Sequence, residues 1–462
     1  MIKKRYIYAL LTIILFLTGC ASVQTQQEWE RVSAFTRERT GMETRWEQTE
    51  EDAKNTKEEV NKLLSDGLTE DDAVKITLLN NRKLQATFEE IGAAKADLVQ
   101  AGLFTNPNLS AVFRLPFGGG GTDIEGVGVL NIADFWQIPL RKKVASTRLE
   151  TTILQVSKEI LNTVSEAKHA HNEYIALSLI RDETEKIKEQ MEEWRDHLVY
   201  RQKFGFSSDF DIHTANASVL DSETELARVE KELQLARVRL HSVLGLSPEQ
   251  SDYEVVGNMF EGKWPLPEPE TMISHALSSR PDIQMARVKV EDSRRVLDLE
   301  RTRIFTNVEA GAAYARESDG AEFLGPEIGI QLPIFDQNQA QIAKAEYKVR
   351  QAEKELKAKI GQVREEVSAS FERLSLARQQ VSLISQVLPA RKGAVEYTEK
   401  YFNAMQLNML YLLEARKKFS ETERRYLEAL REQRNQQIEL EKVLGGLIPT
   451  KQEAPKADPH KH

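Results

Sequence analysis

Apolar positions along this chain change period in a fixed order, and the order occurs twice. From Thr69 to Gly102, Ala73, Ile76, Leu79, Leu84, Ile91, Ala94 and Leu98 recur at helical spacing. Thr69 followed by Glu70, Asp71 and Asp72 supplies a helix start. After Asn106-Pro107 the period becomes two, with Leu109, Ala111, Phe113 and Leu115 alternating with Ser110, Val112 and Arg114, as in a strand with one apolar face. Gly118 to Gly121 predict a loop, a second strand is expected over about Ile124–Ala133, and Pro139 marks the turn into the next helix. From Lys142 to about Lys203 there is neither proline nor glycine, and Leu149, Ile153, Val156, Ile160 and Val164 keep a narrow apolar seam. Sixty such residues would span roughly 90 Å. Phe204-Gly205-Phe206-Ser207-Ser208-Asp209 reverses the chain, and a return helix reaches Leu244.

The second pass repeats this order. Strands are expected over about Thr306–Arg316 and Phe323–Leu332, closed by Pro333. A second hairpin rises from Gln339 to Phe402, turns at Asn403–Asn408 and returns to Leu444, with Pro389 expected to kink or divide its ascending arm. Leu240, Val243, Leu244 and Gly245 recur as Leu440, Val443, Leu444 and Gly445, and Gln137-Ile138-Pro139-Leu140 as Gln331-Leu332-Pro333-Ile334. Asn80-Asn81-Arg82 has its counterpart in Ser278-Ser279-Arg280-Pro281. A period near 200 residues exceeds any solenoid unit of about 20–50 residues, so this is an internal duplication. The expected division is a segment 1–19, a peripheral leader 20–66, repeats 67–248 and 249–448, and a polar tail 449–462.

Composition narrows the class. Charged residues are 29% and aromatics 7%, which suits long helices with narrow seams better than a compact globule. Lys3, Lys4 and Arg5 precede an apolar run, Tyr6 to Leu17, too short to span a bilayer, and Leu17-Thr18-Gly19-Cys20 resembles the bacterial lipoprotein cleavage box. That resemblance implies lipidation of Cys20, the only cysteine, and Ala21 after it favours the outer membrane. Loss of Lys3, Lys4 and Arg5 would take the net charge from −9 to −12, which argues against nucleic-acid binding. No later run is long enough for a membrane helix, so any crossing is by strands.

Four strands cannot close a barrel, which needs about eight, and open edges are not tolerated in lipid. Three chains would pool twelve strands, and four long helices from each would make a twelve-helix cylinder. The chain resembles the TolC family of outer membrane efflux proteins over essentially its whole length beyond residue 20. The carrying stretches are Asn81-Arg82-Lys83-Leu84, Gly102-Leu103-Phe104-Thr105-Asn106-Pro107, Arg280-Pro281-Asp282-Ile283 and Pro333-Ile334-Phe335-Asp336-Gln337-Asn338-Gln339. The second and last look most like its heavy-metal branch. The resemblance implies a mainly α fold with a membrane β-barrel portion and a homotrimeric exit duct in outer-membrane lipid. It also implies a periplasmic adaptor and an inner-membrane pump of the RND type as partners. In the family, acids past the second hairpin tip narrow the entrance. Glu414 in Leu412-Leu413-Glu414-Ala415 is the candidate here, with Asp209 and Asp211 beside it, although Tyr411 stands where the family has a second acid. The bland alternative is that these acids are solvated helix surface.

Gly205 is the candidate sharp-turn residue, and Pro139 and Pro333 the candidate joints between strands and helices. His169 and His171 lie two apart on a helix and face different ways, so they cannot share a metal. Asp458, His460 and His462 belong to a polar tail. No nucleophile, phosphate loop or metalloprotease motif suggests catalysis or a cofactor. A lipid-anchored coiled-coil scaffold or adhesin, and a secreted enzyme, are the competing readings; the first leaves the alternating strands without a purpose.

Overall fold

A computed structural model describes residues 22–115, 117–118, 121–259, 266–305 and 307–448. The expected signal segment, Cys20 and the tail from 449 lie outside the described residues. The elements follow the order read from the sequence: strands β1 (Asn108–Arg114) and β2 (Asp123–Asn131), helices Asp134–Gln202 and Asp209–Val243, strands β3 (Val308–Arg316) and β4 (Glu322–Ile330), then helices Gln339–Asn403 and Met409–Leu444. We call the four long helices first ascending, first descending, second ascending and second descending. Among the described residues no helix is long and apolar enough to cross a membrane.

The described residues form two compact units, one within 1–31, 89–155 and 285–357, the other within 32–88, 156–284 and 358–462. The first holds one antiparallel sheet in the order β1-β2-β3-β4. Its register is regular throughout, with Leu109 opposite Gly128, Gly128 opposite Ala312, and Ala312 opposite Pro326. Gly311 has to be glycine, because a Cβ there would lie 1.8 Å from the Gly128 carbonyl oxygen.

The two strand-to-helix joints in this unit differ, which corrects one expectation. The first ascending helix begins at Asp134, so Pro139 lies inside it rather than at its start. The buried Asp134 carboxylate accepts the Thr105 N–H at 2.6 Å and the Arg141 guanidinium at 2.8 Å, and these bonds fix the helix start ahead of the proline. Only one backbone hydrogen bond is forfeited at Pro139, a cost the first turns of a helix tolerate best. At the second joint Pro333 lies in an irregular stretch between β4 and Gln339. Asn338 ends that stretch at φ +61°, with its amide donating to the Glu300 carbonyl at 2.7 Å.

The second unit packs each repeat in the same way. Leu240 and Leu244 close on Leu68, Ala73, Ile76 and Ala170; Leu440 and Leu444 close on Met272, Ile273, Ala276 and Ile283. Val60 belongs to the first of these cores, so the leader is not peripheral, and its helices Gln26–Thr40 and Glu50–Ser65 bury Val32 and Val60. The single helix expected over Thr69–Gly102 is two, Glu70–Asn80 and Arg82–Ala101, broken where Asn81 turns extended. The break frees two side chains to cap another helix. Asn80 Nδ2 donates to the Leu244 carbonyl at 3.0 Å, and Asn81 Nδ2 to the Val243 carbonyl at 2.8 Å. In the second repeat the same break falls at Arg280, where Ser279 Oγ donates to the Leu444 carbonyl at 2.8 Å and Arg280 Nη1 to the Val443 carbonyl at 3.0 Å. Both pairs satisfy terminal carbonyls that a helix leaves open. The second ascending helix runs on undivided through Pro389.

Candidate functional site

The sheet separates its residues by chemistry. Leu109, Ala111 and Phe113, then Ile124 and Leu130, Val308, Ala310, Ala312 and Tyr314, and Leu324, Ile328 and Ile330 share one face by register. Arg316 and Glu322 are the charges on that face and flank the turn between β3 and β4. This apolar face is open: Leu109, Leu324 and Ile328 are 80%, 78% and 77% exposed. The other face carries Ser110, Arg114, Glu125, Glu309 and Glu327 among small residues, interrupted by Val112, Val127, Val129 and Phe323. Arg114 pairs with Glu125 at 2.5 and 2.9 Å across β1 and β2. Apolar on one face and polar on the other, at strand length, is the pattern of an outer-membrane strand. Within the chain β1 and β4 each have one unpaired edge.

The hairpin tips are built alike. At the first, Gly205 takes φ +77°, its N–H donates to the Gln202 carbonyl at 2.9 Å, and the Phe206 N–H donates to the Arg201 carbonyl at 3.0 Å. At the second, Met405 takes φ +56°, with its N–H on the Phe402 carbonyl at 2.9 Å and the Gln406 N–H on the Tyr401 carbonyl at 2.9 Å. Each is a helix end closed by a left-handed residue. Ser208 and Asn408 then occupy the N-caps of the descending helices. Met409, Leu412 and Leu413 are buried, with Trp194 and Phe402 packed against them, and Arg201 Nη1 donates to Asn408 Oδ1 at 3.0 Å.

Each of the three acids picked from the sequence is held by a neighbour of its own hairpin. Asp211 completes the capping box with Ser208, whose N–H donates to it at 2.8 Å, and these bonds hold its pKa below the usual range. Asp209 accepts from Gln202 Nε2 at 2.7 Å. Glu414 is exposed and pairs with Lys418 at 2.5 Å, which lowers its pKa.

A longer polar arrangement went unread in the sequence. Where the first ascending and second descending helices pack in the second unit, polar pairs recur over about seven helical turns. Lys168 meets Glu441 at 2.6 Å, Asn172 donates to Asn435 Oδ1 at 3.0 Å, and Arg431 meets Glu173 at 2.8 Å. Further toward the tips, Gln190 donates to Ser420 Oγ at 3.1 Å and Arg416 to Glu193 at 3.2 Å. His169 sits in this seam with both ring nitrogens engaged, whereas His171 points to the Leu68 carbonyl at 3.2 Å, so the two histidines do face apart. Among the described residues no cluster of His, Cys, Asp and Glu is arranged to hold a metal ion.

Comparison with known proteins agrees with the sheet and the hairpins. Residues 272–446 match the family model described as outer membrane efflux protein, so the resemblance read from the sequence holds over that span. The cobalt-zinc-cadmium resistance protein CzcC of Cupriavidus metallidurans is 27% identical over 247 residues; the match takes in 52% of this chain and 57% of that relative's length. Among solved structures, the CmeC outer membrane channel of Campylobacter jejuni aligns with TM-score 0.69 at 14% identity, covering 87% of this chain and 89% of that one. CusC, described in connection with transmembrane channel formation, aligns with TM-score 0.67 at 16% identity, covering 81% and 91%. The fold is that of these outer membrane channels.

Proposed function

We propose that this protein is the outer-membrane component of a tripartite efflux system, a passive exit duct from periplasm to exterior rather than an enzyme. The observation that carries the reading is the sheet: an exposed apolar face, a polar opposite face, and one open edge on each of β1 and β4. In lipid those edges must be paired. Three copies joined β4 to β1 close a twelve-strand barrel, with Arg114, Glu125, Glu309 and Glu327 lining it and the leucines and isoleucines meeting acyl chains. Cys20 adds a lipid anchor. A periplasmic adaptor and an inner-membrane pump of the RND type complete the path and supply its energy. The cargo we assign is heavy-metal cations or small toxic molecules, on the strength of the CzcC relative. At the periplasmic end Glu414, with Asp209 and Asp211, would form symmetric acidic rings that favour cations.

The test is mass and conductance together. Protein extracted in mild detergent should be a trimer and should form ion-conducting channels in planar bilayers; a monomer without conductance would refute the duct. Labelled-palmitate incorporation should disappear in Cys20→Ser while the barrel still inserts, and incorporation that persists would refute the anchor.

A further inference from the structure

Two positions in the polar seam set ionisable side chains against acceptor oxygens. His169 Nδ1 lies 3.0 Å from Asn435 Oδ1, and Nε2 lies 3.0 Å from Glu439 Oε1. Asn435 Oδ1 also accepts from Asn172 Nδ2 at 3.0 Å, which fixes that oxygen as an acceptor. Both ring nitrogens therefore face acceptor oxygens. About four turns from His169 toward the tip, towards the Gln190–Ser420 bond, Glu183 is 9% exposed. One of its oxygens holds Lys186 at 2.5 Å, and the other is buried without a protein hydrogen bond. The Glu423 carboxyl faces it from the second descending helix. Two ionised carboxylates in that position repel, whereas one proton between them supplies the missing donor.

We propose that this seam is an acid-tightened lock between the two hairpins, fastened by a proton shared between Glu183 and Glu423. The other charges leave this balance in place. Lys186 is already on Glu183, and beside it stands Asp182; Lys392 of the second ascending helix faces Glu423, and Arg424 is turned to Glu225 of the first descending helix at 2.8 Å. Around His169, Glu439 is also reached by Lys442 at 3.4 Å, while Lys168 is held by Glu441. Burial first, and Glu183 second, push the Glu423 pKa up to about 7. A group with a raised pKa contributes below its ordinary value and loses that contribution as pH rises through the raised one. The fastening loosens from mildly acid to mildly alkaline conditions. The lock belongs to the single chain and does not rest on the duct reading.

Backbone hydrogen exchange on the full-length protein in mild detergent, corrected for intrinsic rates, tests it. Protection over residues 183–202 and 409–425 should fall roughly tenfold between pH 5.5 and pH 8. Glu423→Gln, whose amide donates to Glu183 without titrating, should keep its protection across that range, and Glu183→Gln serves equally if the first variant does not fold. Wild-type protection that is unchanged with pH, or a glutamine variant that keeps the wild-type slope, would overturn the proposal.

Discussion

Gly205 and Met405 hold the same turn position 200 residues apart, at φ +77° and +56°, and close their hairpins with matching pairs of backbone hydrogen bonds. Glycine adopts that conformation freely, whereas a residue with a Cβ is strained by roughly 1–2 kcal/mol. Met405 is 95% exposed, so its side chain returns nothing to the fold. Met405→Gly should therefore stabilise the second tip by about 1 kcal/mol, and Gly205→Ala should weaken the first by a similar amount. Amide exchange at the two tips reads both changes, and an unchanged tip in Met405→Gly would refute the strain.

Ala312 and Ala313 are adjacent in β3 but point to opposite faces. Arginine at 312 would face lipid, at a cost of about 2–4 kcal/mol near the bilayer midplane, while arginine at 313 would face the polar side. Ala312→Arg should sharply reduce heat-modifiable trimer in outer-membrane fractions, and Ala313→Arg should leave it near wild type. Equal yields would refute a lipid-facing side, and the reverse order would mean that the faces are assigned the wrong way round.

Asp282 is held by Arg280 at 2.7 Å and Lys359 at 2.9 Å, and Arg280 also reaches Glu366 at 2.7 Å. Burial opposes ionisation of Asp282, but these donors outweigh it and hold its pKa far below the usual carboxylate range. A depressed folded pKa means that the contribution is present above the ordinary carboxylate value and fades as pH falls toward the folded one. Asp282→Asn should cost about 3 kcal/mol at pH 7, since it strands buried cations, and less at pH 3. Chemical denaturation at the two pH values measures the difference; a penalty independent of pH would assign it to packing instead.

Glu414→Lys should lower cation selectivity in planar bilayers, most at low salt, because added salt shortens the screening length to about 10 Å at 0.1 M and mutes charges farther off than that. Selectivity unchanged at low salt would place Glu414 on an outer surface, bonded to Lys418 as it is in the single chain.

The strands, hairpins and duplication were legible because each is written in a local period or a turn residue. Gly205 was legible for the same reason. Met405 was not, since methionine carries no mark of a left-handed conformation; only the offset of 200 from Gly205 points to it. Pro139 misled because a proline was read as a boundary, whereas Asp134 and its donors had already started the helix. The seam was invisible to local reading, because His169 finds its partners 266 and 270 residues away.

The capped helix ends bear on how a duplicated protein ages. Asn80 and Asn81 in one half, and Ser279 and Arg280 in the other, have no chemistry in common beyond an N–H or O–H aimed at the same two carbonyls. What the site requires is a donor at a place, and amide, hydroxyl and guanidinium all meet that requirement. Each copy can then exchange one residue for another without passing through a broken intermediate, provided the backbone break is kept. Divergence between the halves is therefore a poor clock for their common origin, and the ancestry is better kept in where the chain bends than in what it is spelled with.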